Sequence, residues 1–303
     1  MKRTDAVRLL FYGIRIFLTK RDTPFFATLI LTDQCNLSCQ HCCLHNYRCE
    51  DKEIYSFEQV CADMREMYQD GVRILCLSGG EIALWETNEH SIRELVDAAR
   101  EIGFLYVALA TNGTIPIDYG NADFVLVSID GAREVHDLIR GKTYDRILEN
   151  IRKREKDKIV IFMDINHINQ REIANVCQLA KDEPNIRAVS FNFHTPFSGP
   201  EELALSFEEK KRCIQEIREL MKEGYPVLNL RSCFPYLLNN NFPKPCKQLM
   251  VMDFSKRLLC NRCIEEEGLC AKCGYFETAE IAMMFRGKIN VIMDAFLTYR
   301  KYL

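Results

Sequence analysis

Apolar residues recur in two rhythms along the chain, and the rhythms alternate. Short runs rich in Val, Ile, Leu and Phe occupy residues 25–31, 74–77, 104–110, 124–129, 159–165 and 188–193. Their length and β-branched content are those of buried strands. Between them, residues 57–69, 90–102, 144–155 and 172–181 carry apolar positions at helical spacing. Ser56 with Gln59 makes a capping box before the first of these helices, and Asp70-Gly71 stops it. About six strand–helix units in series imply an α/β fold with a parallel sheet curled as a partial barrel. An eight-unit barrel would need about 250 residues, and the alternation ends near residue 195.

The flanks behave differently. Val7, Leu10, Phe11, Ile14, Phe17 and Leu18 recur at helical spacing, with Arg8, Tyr12 and Arg15 beside them. This N-terminal helix either docks on the core or lies on a membrane surface, where arginines snorkel and Phe and Leu insert. Pro24 ends it. Residues 46–55 read as a polar link. Ser206 to Glu209 caps another helix, ending near Gly224. Beyond residues 227–230 the pattern changes: Pro235, Pro243 and Pro245 cluster around Asn239-Asn240-Asn241. The expected organisation is an N-terminal amphipathic helix at 1–22, a barrel at 23–230 and an extension at 231–303. In the last segment, Ile281, Met284, Phe285, Ile289, Ile292, Met293, Phe296 and Leu297 suggest two helices separated by Gly287. They are expected to pack over the barrel mouth or to line a hydrophobic substrate channel.

Composition narrows the function. The 303 residues are 48% hydrophobic, enough for one large core or two smaller ones. A net charge of -3 gives no general attraction to nucleic acid. Fifteen cysteines would mean disulfides in a secreted chain. No signal peptide is visible, so cytosolic metal ligation is the better reading. No run approaches about 20 uninterrupted apolar residues, so a membrane span is not expected.

Candidate chemistry begins with Cys35-Asn36-Leu37-Ser38-Cys39-Gln40-His41-Cys42, directly after the first strand. Soft thiolates this close suit zinc or an iron–sulfur cluster. Structural zinc and ordinary clusters take four protein ligands, so a group of three leaves one metal position open. The second strand feeds Ser78-Gly79-Gly80-Glu81, whose glycines allow close backbone approach and whose Glu81 offers an acceptor for an ammonium group. Thr111-Asn112-Gly113, Ser128-Ile129-Asp130-Gly131, Asn166 and His194 follow later strands. Every one of these motifs falls at a strand's C-terminal end, the active face of barrel folds. Each alone also reads as a loop cap, and His194 as a hydrogen-bonded structural histidine.

The C-x3-C-x2-C spacing with His41 before the last cysteine, and Gly-Gly-Glu some forty residues on, resembles the radical S-adenosylmethionine (SAM) superfamily. The resemblance spans roughly residues 25–193 and implies an open six-strand (β/α)6 barrel. It implies that Cys35, Cys39 and Cys42 hold a [4Fe–4S] cluster whose fourth iron is chelated by SAM. It further implies SAM contacts by His41, Gly79, Gly80, Glu81, Asn112, Ser128, Asp130 and Asn166. The activity implied is reductive cleavage of SAM to a 5′-deoxyadenosyl radical, with electrons from a small donor protein, a ferredoxin or flavodoxin.

Cys246, Cys260, Cys263, Cys270 and Cys273 form a second, denser group. An auxiliary [4Fe–4S] cluster, zinc and no metal all remain open. Pro245-Cys246 through Cys260, with Cys270 and Cys273, is similar to the Twitch and SPASM extensions of radical SAM enzymes, although no glycine stands four residues before Cys260. That similarity implies one auxiliary cluster on Cys246, Cys260, Cys270 and Cys273, and a peptide substrate. The run from Asp130 to Asp137, with Cys270-x2-Cys273-x2-Phe276-Glu277-x-Ala279, also resembles hopanoid-biosynthesis adenosyl transferases, which implies a lipid substrate and contact with the inner face of a membrane. The rival of another class is a non-enzymatic metal module that docks on a partner. Cys61, Cys76, Cys177 and Cys213 read as packing, Cys43 and Cys49 break the ligand spacing, and Cys233 is expected near the barrel mouth.

Overall fold

The computed structural model describes residues 3–19, 22–42, 55–85, 90–153 and 158–302. The expected polar link lies outside the described residues up to residue 54, as do Cys43 and Cys49. A helix, α1 (Arg3–Thr19), precedes six parallel strands laid side by side in sequence order. These are β1 (Phe26–Ile30), β2 (Ile74–Ser78), β3 (Tyr106–Thr111), β4 (Phe124–Ser128), β5 (Ile159–Ile165) and β6 (Ile186–Phe193). The intervening helices are α2 (Phe57–Asp70), α3 (Ile92–Ile102), α4 (Arg133–Arg140), α5 (Tyr144–Arg152) and α6 (Ile173–Asp182). The expected partial barrel is therefore the observed fold.

Alternation along each strand sorts the two faces. Leu29, Leu75, Leu77, Val107, Leu109, Val125, Ile161 and Met163 are fully buried and share one core with Met64, Met67, Leu95, Val96 and Val176 of the helices. Burying each such side chain contributes about 1.5–3 kcal/mol. The opposite face carries smaller and polar residues in register: Thr28 faces Cys76, Cys76 faces Ala108, and Asp164 faces Asn192. The capping box at Ser56 forms as expected, and Gly71 ends α2 in a left-handed conformation (φ 116°).

After α7 (Phe207–Lys222) and the short α8 (Phe234–Leu238), the chain returns to the sheet. Strand β7 (Leu249–Asp253) pairs parallel with β1, and β8 (Lys256–Leu259) folds back antiparallel on it. The hairpin has no turn signal in the sequence. Its corner residues Phe254 and Ser255 take positive φ (47° and 59°), where glycine or asparagine would normally stand. Residues assigned to the extension thus continue the barrel sheet and its core.

The last two helices are α9 (Phe276–Phe285) and α10 (Ile289–Tyr302). Helix α9 starts where Phe276 N donates to Asn192 Oδ1 (2.9 Å) at the C-terminal end of β6, and ends with Phe285 against Phe25, just before β1. Helix α10 corrects the expectation of packing over the mouth. Its Tyr299 and Tyr302 pack with Val160, Ala188, Leu228, Phe124 and Leu126, toward the N-terminal ends of β4–β6, away from the site described next. Its Met293 and Phe296 line no channel; they are 55% and 56% exposed.

Candidate active site

The loop leaving β1 carries Cys35, Cys39 and Cys42, and backbone contacts set its path. Gly80 N donates to Thr32 O (2.7 Å) and Glu81 N to Gln34 O (2.8 Å). A Cβ on Gly80 would stand 2.2 Å from Gln34 O, and one on Gly79 would stand 2.5 Å from Thr32 O. Both glycines are therefore required for the loop after β2 to lie against the run into Cys35. Gln40 fastens the loop's far side, its N and Nε2 donating to Ile139 O (3.1 Å) and Leu138 O (2.7 Å).

Glu81 is fully buried and its carboxylate accepts three hydrogen bonds from the protein. Oε1 accepts from Ala83 N (3.0 Å) and Thr111 Oγ1 (2.6 Å), and Oε2 accepts from Asn112 N (2.6 Å). Burial raises its pKa against these three donors. Glu81 thus ties the β2 loop to the end of β3. Asn112 then donates through Nδ2 to Asn36 Oδ1 (2.9 Å) and, at 3.9 Å, toward Cys35 Sγ. Thr114 Oγ1 closes the network, accepting from Asn36 Nδ2 (2.9 Å) and donating to Asn112 Oδ1 (2.7 Å).

A second network surrounds Cys39. Arg140, at the end of α4, reaches Asp130 Oδ2 through Nε (2.5 Å), Cys39 Sγ through Nη1 (3.7 Å) and His41 Nε2 through Nη2 (3.3 Å). Burial pushes Asp130 up, but the Arg140 charge and hydrogen bond, with His41 and His136, together outweigh it and its pKa is lowered. Burial pushes the Cys39 thiol up to about 11 despite the guanidinium, and raises Cys35 likewise. His41 is lowered by burial, so it is neutral. With Nε2 accepting from Arg140, its proton sits on Nδ1. That buried Nδ1 has no hydrogen-bond partner among the described residues.

The remaining expected residues are spread along the same rim. Ser128 ends β4, half-buried. Asn166, fully buried, accepts from Ile168 N (2.9 Å) and donates to Asp164 O (3.2 Å), so its side chain shapes its own turn. His194 sits between Asp164 Oδ2 (3.4 Å) and Pro200 O (3.3 Å), its ring 6.5 Å from His41.

Arg140 and Arg262 are the residues sequence reasoning missed. Arg140 lies three residues past the Asp130–Asp137 run, and nothing in the sequence there marks it as the cation that meets Cys39. Arg262, nearly buried, reaches Asp33 Oδ1 (3.3 Å) and Asp253 Oδ1 (2.5 Å). It comes from the second cysteine segment and braces the residue two before Cys35.

In that second segment Cys246 lies within electrostatic range of Cys260 and Cys273, and Cys263 within range of Cys260, Cys270 and Cys273. Burial pushes Cys246 and Cys273 up to about 12 and Cys260 to about 11. Cys260 takes φ +70°, a left-handed conformation uncommon for a residue other than glycine. Cys263 instead packs with Phe197, Leu269 and Tyr275. Cys233 is buried and raised by burial, beside Glu280 and Asp294, not at the mouth.

Among the described residues, no three Cys, His, Asp or Glu side chains converge as they would on one metal ion. A cubane does not ask for such convergence, because each thiolate takes its own iron. The donors fit such a group: three thiols, N–H donors aimed at Cys35 and Cys39, an adjacent guanidinium, and an unpaired buried N–H on His41.

An open parallel barrel with three thiols on its first loop defines the class. The Radical SAM superfamily model matches residues 29–180, and the chain belongs to that superfamily. Members of the family use a [4Fe–4S] cluster with SAM. The chain is 30% identical over 217 residues to the Fe-coproporphyrin III synthase of Methanosarcina barkeri, covering 65% of this chain and 52% of that protein. It is 31% identical over 167 residues to the sporulation killing factor maturation protein SkfB of Bacillus subtilis, covering 51% and 39%. It spans about half the length, or less, of these curated relatives. Streptococcus suis SuiB, solved bound to its precursor peptide SuiA, shares the fold at a TM-score of 0.63 and 15% identity, over 91% of this chain and 70% of that one. Among the described residues, no helix is long and apolar enough to cross a membrane.

Proposed function

We propose that Cys35, Cys39 and Cys42 hold a [4Fe–4S] cluster and that the chain is an enzyme that cleaves SAM reductively. The carrying observation is that the loop after β1 brings Cys35, Cys39 and Cys42 within electrostatic range of one another, with Arg140 Nη1 3.7 Å from Cys39 Sγ. When bound, the cluster supplies one electron that cleaves the sulfonium C–S bond, leaving methionine and a 5′-deoxyadenosyl radical. The chain's own residues position and shield. Arg140 offsets negative charge on Cys39, and Asp130 holds the guanidinium there. His41 offers its Nδ1–H to a polar atom of the bound nucleotide. Glu81, Asn112 and Thr114 fix Asn36 inside the cysteine loop. Gly79, Gly80, Ser128 and Asn166 line the rim on which the nucleotide would lie.

Cys246, Cys260, Cys270 and Cys273 are proposed to hold one auxiliary cluster, in the 231–303 segment whose β7 joins the barrel sheet beside β1. The substrate is read as a lipid, from the resemblance to hopanoid transferases. A peptide is the second reading, favoured by the likeness to SkfB. A ferredoxin or flavodoxin in the cytoplasm would deliver the electron.

Anaerobic reconstitution tests this. Iron and sulfide should exceed one cluster per chain, and SAM with a reductant should give 5′-deoxyadenosine. Zinc at both cysteine groups with no SAM affinity would favour the metal-module reading instead. Mass spectrometry of products formed with lipid extract or with peptide separates the substrates.

A further inference from the structure

Two helices from opposite ends of the chain turn their apolar stripes outward. In α10, Ile289, Ile292, Met293, Phe296 and Leu297 are between 41% and 75% exposed. Their spacing of three and four residues is that of a core-facing stripe, yet Val291 and Ala295 are what the helix buries. In α1, Phe11, Ile14, Phe17 and Leu18 are between 43% and 71% exposed, while Ile16 faces inward. The two helices meet: a Cβ on Gly287, just ahead of α10, would stand 2.8 Å from the Phe17 ring. This contact sets the start of α10 beside Phe17 of the α1 stripe.

The charge around them is one-sided. Arg15, Arg286, Lys288, Arg300 and Lys301 are exposed there. Helix α1 contains one acid, Asp5, against Arg3, Arg8 and Arg15, and residues 286–302 contain only Asp294. Its carboxylate is taken by Ser232 N (2.8 Å) and Thr298 Oγ1 (3.3 Å). The whole chain carries -3, yet these two segments are net positive, with seven cations against two acids. A second copy docked face to face would set these cations against each other. An apolar stripe rimmed by Lys and Arg instead matches the boundary between headgroups and acyl chains of an anionic bilayer.

We propose that α1 and α10 together form one face that docks on an anionic lipid surface. This goes beyond the catalytic reading and does not depend on it, because binding is measured without SAM or reductant. The experiment is flotation of the full chain on phosphatidylcholine vesicles with and without phosphatidylglycerol. Wild type should float with the anionic vesicles and lose binding as salt rises. Phe296→Ser with Leu297→Ser, and Phe11→Ser with Leu18→Ser, should each weaken binding at least about tenfold. Lys288→Glu with Arg300→Glu should cost about fivefold per cation removed. As a check free of any polar substitution, Phe296→Trp should show a blue-shifted emission with anionic vesicles. No flotation, no spectral shift, or binding unaffected by the α10 pair overturns the proposal. So does a dimer in solution that the α10 pair dissociates, which would make the face an interface between copies.

Discussion

The two cysteine groups are built on opposite principles. Around Cys35 and Cys39 the thiols are wired by polar side chains drawn from four places: Asn112 after β3, Asp130 after β4, Arg140 in α4 and Glu81 after β2. Around Cys246, Cys260 and Cys273 the thiols are set among core residues, with hydrogen bonds chiefly from the backbone and one from the Thr278 side chain. Wiring holds charge in place and leaves an edge open; packing staples a segment that is short for its own core. Arg262 joins the two, sitting beside Cys263 in sequence and reaching Asp33 before Cys35.

The largest effect separates the groups by chemistry. Cys39→Ala should abolish 5′-deoxyadenosine formation, whereas Cys270→Ala should lower iron content and retain SAM cleavage. Equal loss in both would erase the distinction between a reacting centre and a staple.

The next effect is on stability of the metal-free chain. Arg140→Leu leaves Asp130 buried without its partner and should cost about 3–5 kcal/mol in denaturant unfolding. A loss below about 1 kcal/mol would mean that the wiring around Cys39 is incidental.

A pH series probes the helix that follows the second group. Burial raises Glu280 to about 7, against donation from Leu230 N. The folded state thus holds this proton more tightly than the unfolded chain. Its contribution is full below the usual carboxyl value and is lost as pH rises through about 7. Glu280→Gln should remove that fall, worth at most about 3 kcal/mol between pH 5 and 8. An unchanged slope of unfolding free energy against pH would contradict it.

The smallest expected effect sharpens the wiring itself. Thr114→Val removes the hydroxyl that accepts from Asn36 and donates to Asn112, costing about 1–2 kcal/mol. It should weaken cluster retention under a chelator more than Cys263→Ser does. The reverse order would place the fragile contacts in the second group.

Much of this was legible in the chain. The six barrel strands, the helices after β1, β2, β4 and β5, and the Ser56 capping box follow from local periodicity and capping chemistry, which depend on near neighbours. The three-cysteine loop and the Gly-Gly-Glu turn were visible as motifs. What those motifs do was harder to see. Gly79 and Gly80 exist for a contact with Thr32 and Gln34, some forty-five residues earlier. The β7–β8 hairpin was hidden because its corner uses Phe254 and Ser255.

The sequence by itself therefore determined the alternation, the sheet type and which residues could bind metal, because these are set by spacing along the backbone. Only the tertiary structure decided which charge meets which thiol. Arg140 lies 101 residues from Cys39, and Arg262 lies 229 from Asp33. Only the fold also turned the apolar stripes of α1 and α10 outward. Periodicity shows that a helix has an apolar face; the direction of that face depends on what the rest of the chain leaves for it to cover.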